Sequence, residues 1–185
     1  MSALFGPVIQ QGYVVPDIDE AIRHWVARGV GPFFIEQHIR PAGQYDGRAI
    51  KPDLSAAFAY SGEQQIEVIQ QHDDEPTIYL DYLAAHPDGG LQHLAVWVDD
   101  IADVLADLES RGLGYTVRQR YGDGHAYLDA DDAPGVMMQL MARSDHLVSL
   151  METIRAASIG WDGTTAPLRR IDWSTGTPIP EVIDP

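Results

Sequence analysis

The sequence predicts an α+β fold built from two βαβββ modules, followed by a C-terminal helix and an extended arm. Three observations carry that expectation. A fixed offset of 83 residues aligns Val15-Pro-Asp17-Ile18 with Val98-Asp-Asp100-Ile101, and Arg28-Gly29-Val30-Gly31 with Arg111-Gly112-Leu113-Gly114, with no gap between them. Within each copy, β-branched and aromatic runs give way to a helical stripe and then to further short runs separated by Gly and Asp. With 185 residues, 45% of them apolar, the chain is long enough to bury the core of one compact unit.

Gly6-Pro7 breaks the chain just before the first strand, Val8 to Val15. Asp17 then offers a side-chain oxygen to the free amides of a helix that carries Ile18, Ala21, Ile22 and Trp25, and Gly29 and Gly31 end it. Strands are expected at Phe33 to Arg40, Ser55 to Tyr60 and Gln65 to Gln71, which completes a module over residues 8–71. A connecting helix over 76–85 has its stripe in Ile78, Tyr79, Tyr82 and Leu83, and His86-Pro-Asp-Gly-Gly stops it. The second module, 91–141, repeats the order. Its first strand is Leu91 to Val98, its cap Asp100, its helical stripe Ile101, Val104, Leu105 and Leu108, and its terminator Gly112. Strands Tyr115 to Arg120, His125 to Asp129 and Val136 to Met141 follow.

Residues 1–143 thus form the repeat domain, and 144–185 lie outside it. There Leu147, Leu150, Met151 and Ile154 make an i, i+3, i+4, i+7 stripe on a helix from about Asp145 to Ser158. Beyond Gly160 the prolines rule out long regular elements. Trp161, Ile171 and Trp173 either seat this arm on an apolar surface, of its own domain or of a partner subunit, or the arm is disordered beyond Trp173.

Twelve basic against 28 acidic side chains give a formal charge of −16. Such a surface repels phosphate backbones and anionic headgroups, which excludes nucleic acid and membrane surfaces as partners. There is no Cys, so disulfides, thiolate nucleophiles and zinc-thiolate sites are excluded too. The N-terminal residues show no basic segment ahead of a long apolar run, and no window approaches the roughly 20 apolar residues of a membrane span. A cytoplasmic protein is expected.

Alternation along Leu91 to Val98 puts Leu91, His93, Ala95 and Trp97 on one face. The repeat offset places Gln10 where His93 stands in the second copy. Glu67, between Ile66 and Val68, and Gln139, between Met138 and Leu140, hold matching places on the last strands of the two modules. A carboxylate on a half-buried strand is costly unless it is exposed, paired or bound to a metal. If the modules pair about a pseudo-twofold axis, Gln10, Glu67, His93 and Gln139 converge, and a metal among them is one reading. The other is a wet sheet face, on which Gln, Glu and His are ordinary.

Three segments, Gly12-Tyr-Val-Val-Pro-Asp-Ile-Asp-Glu-Ala, Gln65-Ile-Glu67-Val-Ile and Gly90-Leu-Gln-His93-Leu-Ala-Val-Trp-Val-Asp-Asp-Ile, resemble the vicinal oxygen chelate superfamily. This is the group of glyoxalases, methylmalonyl-CoA epimerases and extradiol dioxygenases. The resemblance covers about Val8 to Met141 and implies one open, U-shaped, glyoxalase-like sheet around a divalent metal that adjacent substrate oxygens chelate. It maps the family's ligands onto Gln10, Glu67, His93 and Gln139, matching the Gln, Glu, His, Glu set of some glyoxalase I enzymes at three positions. At the fourth, Gln139 replaces a carboxylate that can act as base, and an amide accepts no proton near neutral pH. If a proton is abstracted, Glu67 is the only carboxylate left among the four, and the catalytic base is Glu67 or a metal-bound water.

Nitrogen and oxygen donors of this kind suit Mn, Fe, Co, Ni or Zn. A single His at the mapped positions disfavours extradiol dioxygenase chemistry, and the missing Glu disfavours glyoxalase I itself. The resemblance therefore implies a metal-dependent isomerase, epimerase or lyase acting on a small-molecule substrate with vicinal oxygens. The alternative is a non-catalytic small-molecule binding protein of the same fold; a third reading is a structural protein that assembles through its acidic surface and arm. Modules of this fold often pair between chains, which makes a homodimer compatible, although two modules in one chain can also pair internally. Phe58, Tyr60, Ile69, Trp97, His125, Tyr127, Met137 and Met141 are expected as pocket walls, each with plain core as its competing role. Walls of that kind make the substrate bulky and apolar.

Overall fold

The computed structural model describes residues 5–130, 135–172 and 179–182. The first module runs β1 (Val8–Val14), α1 (Ile18–Val26), β2 (Phe33–Ile39), β3 (Gly43–Tyr45), β4 (Arg48–Ile50), β5 (Leu54–Ser61) and β6 (Gln64–Gln71). Helix α2 (Ile78–Ala85) leads to the second module, β7 (Gly90–Val98), α3 (Ile101–Ser110), β8 (Tyr115–Tyr121), β9 (His125–Ala130) and β10 (Met137–Ala142). Helix α4 (Asp145–Ser158) and strands β11 (Leu168–Asp172) and β12 (Ile179–Val182) follow.

Both modules start their helices in the same way. The Asp17 carboxylate accepts from Glu20 N at 2.8 Å and the Asp100 carboxylate from Asp103 N at 3.0 Å, each satisfying an amide that the helix itself leaves without a partner. Ile18 and Ile22 of α1 pack on Phe33, Ile35 and Val68, while Ile101 and Leu108 of α3 pack on Val96, Ala126 and Leu140. At roughly 1.5–3 kcal/mol per large aliphatic side chain buried, these contacts hold each helix to the outer face of its half-sheet. The inner face is left to build a site.

The strands form one mixed sheet in the order β12-β11-β2-β5-β6-β1-β7-β10-β9-β8-β3-β4. At its centre β1 and β7 run antiparallel, with β6 parallel to β1 and β10 parallel to β7, so the halves are related by an approximate twofold axis. The registers match as well. Glu67 lies opposite Gly12 and Gln139 opposite Ala95, two positions separated by the repeat offset.

Two features lie beyond the repeat. The hairpin β3–β4 is inserted between β2 and β5, and β3 pairs with β8 of the other module. Its turn is Asp46-Gly47, with φ of 45° and 76°, the two left-handed positions that a two-residue hairpin favours. The chain between β2 and β3 thereby crosses from one rim of the sheet to the other. The arm also joins the sheet, β11 lying parallel to β2 and β12 antiparallel to β11. The arm's described strands have five and four residues. Ile171 is buried with Phe34, Tyr60, Leu150 and Ile154, so the arm is seated on its own chain at that point. Trp173 lies outside the described residues. No helix among the described residues is long and apolar enough to cross a membrane.

Candidate functional site

Cross-strand register brings the four mapped polar residues into two neighbouring rows on the inner face. In one row Gly12 separates Glu67 on β6 from His93 on β7; in the next, Ala95 separates Gln10 on β1 from Gln139 on β10. The smallest residues occupy the middle of each row, and the long polar ones can lean over them. At Gly12 this is a steric requirement, because a Cβ there would stand 1.9 Å from His93 Cε1 and 2.1 Å from its Nε2.

His93 is fully buried. Its Nδ1–H donates to Gln92 Oε1 at 2.7 Å, and Nε2 meets Glu67 Oε2 at 3.2 Å. Because an amide oxygen only accepts, the Gln92 bond commits the Nδ1 proton and turns Nε2 to the carboxylate. Gln10 Nε2 donates to Gln65 Oε1 at 2.7 Å, and both side chains are almost completely buried. Gln139 Nε2 donates to Tyr127 OH at 2.9 Å and faces His125 Nδ1 at 3.3 Å. Tyr79 OH donates to Tyr127 OH at 3.1 Å, and burial keeps both phenols protonated far above their usual range. Four buried side-chain atoms find no partner among the described residues: Arg120 Nε and, at the site, Gln10 Oε1, Gln65 Nε2 and Gln139 Oε1. Such orphans are rare in native interiors and call for a ligand, ion or water.

These groups border a cavity of about 240 Å3. Gln10, Glu67 and Gln139 line it, and His93 stands next to Glu67 without bordering the cavity itself. Of the expected walls, Phe58, Ile69, His125, Tyr127 and Met141 line the cavity; Tyr60, Trp97 and Met137 do not. Tyr60 packs beneath α4 with Phe34 and Ile154, where burial raises its phenol to about 12. Trp97 carries the Arg143 guanidinium 5.5 Å above its ring, and the Met137 sulfur accepts from Gln92 Nε2. All three have the predicted parity, but the inner face extends beyond the cavity. Gln65, Glu36, Tyr79 and Tyr121 also line it and were not among the expected site residues. Gln65 and Glu67 share a face by strand alternation, a signal sufficient to find it.

Burial holds the His125 imidazole below its ordinary 6.5; the nearby Glu67 charge opposes this and His93 adds to it. A depressed folded value means that the unfolded chain protonates first as the pH falls. The stability tied to neutral His125 is therefore complete above about pH 6.5 and is lost as the pH drops through the folded value. Urea midpoints measured at pH 7.5 and pH 5 are expected to fall less in His125→Gln than in the wild type; equal declines would refute the assignment.

The donors fit a divalent ion. Two ligands in adjacent positions, each about 2.1 Å from a metal, stand roughly 3.0–3.4 Å apart, the range into which the Glu67–His93 separation falls. The Gln92 bond to Nδ1 is the outer hydrogen bond that metal-binding histidines commonly carry. Two orphan amide oxygens, on Gln10 and Gln139, remain to complete the set. No group of three His, Cys, Asp or Glu is arranged for a metal among the described residues, so half of the donors would be neutral amides.

A family profile described as the Glyoxalase/Bleomycin resistance protein/Dioxygenase superfamily matches residues 9–128. The chain belongs to that superfamily. Among solved structures, methylmalonyl-CoA epimerase from Mycobacterium tuberculosis aligns with a TM-score of 0.54 and 20% identity, covering 80% of this chain and 95% of that one. A selenomethionine methylmalonyl-CoA epimerase aligns with a TM-score of 0.53 and 21% identity over 78% and 100% of the two chains. A hypothetical protein from Bacillus halodurans gives 0.53 and 15% over 75% and 95%. At these identities the likeness establishes the glyoxalase-like fold. No curated protein matches the chain. The superfamily match ends before β10 and α4, so the helix that supplies Leu147, Leu150, Met151 and Ile154 to the cavity lies outside the matched segment.

Proposed function

We propose that this protein is a metal-dependent isomerase, epimerase or lyase for an apolar substrate with adjacent oxygens. The observation that supports the reading is the Glu67–His93 contact, formed over Gly12 beside the orphan amide oxygens of Gln10 and Gln139. Glu67 and His93, with Gln10 and Gln139, would hold the ion, for which Mn, Fe, Co, Ni and Zn are suitable. When bound, such an ion polarises a carbonyl and makes the neighbouring C–H more acidic. Glu67 accepts that proton at its carboxylate, the only carboxylate among the mapped groups. Gln139 is oriented by Tyr127 and His125, which engage its nitrogen and leave its oxygen for the site.

Elemental analysis and native mass spectrometry after loading with Mn, Co, Ni or Zn are expected to show about one ion per chain. His93→Ala is expected to lose it. Absence of stoichiometric metal, or unchanged binding in His93→Ala, would overturn the reading. One observation favours a second reading, a non-catalytic binding protein: an amide, Gln139, stands where a second carboxylate would act. Turnover of a ligand found bound to the purified protein counts against that alternative.

A further inference from the structure

We infer that α4 is a built-in lid, which restricts the cavity to uncharged molecules about one ring in size that carry hydroxyl and carbonyl oxygens, and excludes acyl-CoA thioesters. The inference rests on reading the cavity as the substrate site.

The roof consists of Leu147, Leu150, Met151 and Ile154, four residues on one face of α4. The helix is tied at both ends. Ser144 caps its start two residues after β10, accepting from Leu147 N at 3.2 Å. After its end the chain returns to the sheet, where Phe33 N donates to Pro167 O at 2.8 Å and β11 pairs with β2. Ile171 of β11 is buried against Leu150 and Ile154, so lifting the lid would expose an apolar cluster. On another side Pro41, in the crossing between β2 and β3, lines the cavity. Nothing in this arrangement resembles an open groove for a long, polyanionic carrier.

Size and charge then select the occupant. An apolar cavity of about 150 Å3 takes up benzene, so about 240 Å3 suits one ring with a short side chain. Among the described residues neither Lys nor Arg lines the space; its ionisable walls are Glu36, Glu67, His125 and tyrosines. A carboxylate or phosphate would lose its hydration there and meet no countercharge. Polar recognition falls to the three orphans. In the metal-free protein Gln10 Oε1 and Gln139 Oε1 require donors and Gln65 Nε2 requires an acceptor; a hydroxyl beside a carbonyl supplies one donor and the acceptor, and a water can serve the remaining oxygen.

Isothermal titration of the full chain, in EDTA buffer so that metal occupancy plays no part, tests this with three probes: neutral 2-hydroxyacetophenone, its anionic analogue benzoylformate, and methylmalonyl-CoA. The neutral probe is expected to bind at least tenfold more tightly than benzoylformate, and methylmalonyl-CoA is expected to give no saturable heat. Met151→Trp, which fills the roof, is expected to weaken the neutral probe at least tenfold; Leu147→Trp serves the same purpose should the first variant fail to fold. Ile159→Trp, at an exposed position just beyond α4, is expected to leave binding unchanged. The proposal is overturned by binding of methylmalonyl-CoA, by benzoylformate binding as tightly as the neutral probe, by no binding of the neutral probe, or by its indifference to the roof variants. Methylmalonyl-CoA binding would remove the lid and leave the metal reading intact, whereas a failed metal titration leaves these results unaffected.

Discussion

Gly12→Ala is expected to cost on the order of 3 kcal/mol of folding stability, at the upper end of overpacking effects, and to abolish metal binding. A methyl group at this position would overlap the His93 ring, with 1.9, 2.1 and 2.5 Å to three of its atoms. That ring cannot swing aside freely, because it is fully buried and held by Gln92 on one side and Glu67 on the other. Gly124→Ala is the matched control, since a Cβ there would meet nothing nearer than 3.8 Å. Its expected effect is within about 0.5 kcal/mol, the ordinary range for a compatible Gly→Ala change. Urea denaturation of the two variants separates the steric effect from general loss of a glycine. The double variant Gly12→Ala/His93→Ala is expected to be no less stable than His93→Ala alone, because the clash partner is gone. A wild-type midpoint for Gly12→Ala would refute the geometry.

Gly12 also shows how far the site could be read from sequence. The juxtaposition of Gln10, Glu67, His93 and Gln139 was legible because β6 pairs parallel with β1 as β10 does with β7 about the antiparallel β1–β7 centre. The caps Asp17 and Asp100 and the alternating strands are local signals, and both modules form where those signals stand. Long-range placement was not legible. Asp46-Gly47 announces a tight turn, yet only the folded sheet shows that its hairpin reaches across to β8. The stripe on α4 announces an apolar face without naming what that face covers. Parity placed Tyr60, Trp97 and Met137 with the site, but parity gives the face and not the distance along it. Gln65 was within reach of the same alternation rule, and so was Glu36, which lies in regular register opposite the cavity-lining Ala56; Ile39 follows the irregularity in β2, beside His38 with its φ of 54°.

Removing one member of the Glu67–His93 pair is expected to destabilise the protein more than removing both. Glu67→Leu leaves a buried imidazole nitrogen without its partner, and His93→Leu leaves a nearly buried carboxylate without its own, each at a cost of about 3 kcal/mol. Glu67→Leu/His93→Leu replaces both with apolar groups facing Ile69, Tyr127 and the cavity, and buried pairs exchanged in this way are often near neutral. The cycle is expected to give a coupling energy of roughly 2 kcal/mol or more, read from urea midpoints at pH 7 with m-values unchanged. Simple additivity would show that the two side chains do not act as a unit. The double variant is also expected to bind no metal. A near-wild-type fold without metal binding would mean that packing has no need of a carboxylate and an imidazole at this depth. Their presence in the sheet would then be explained by what they bind.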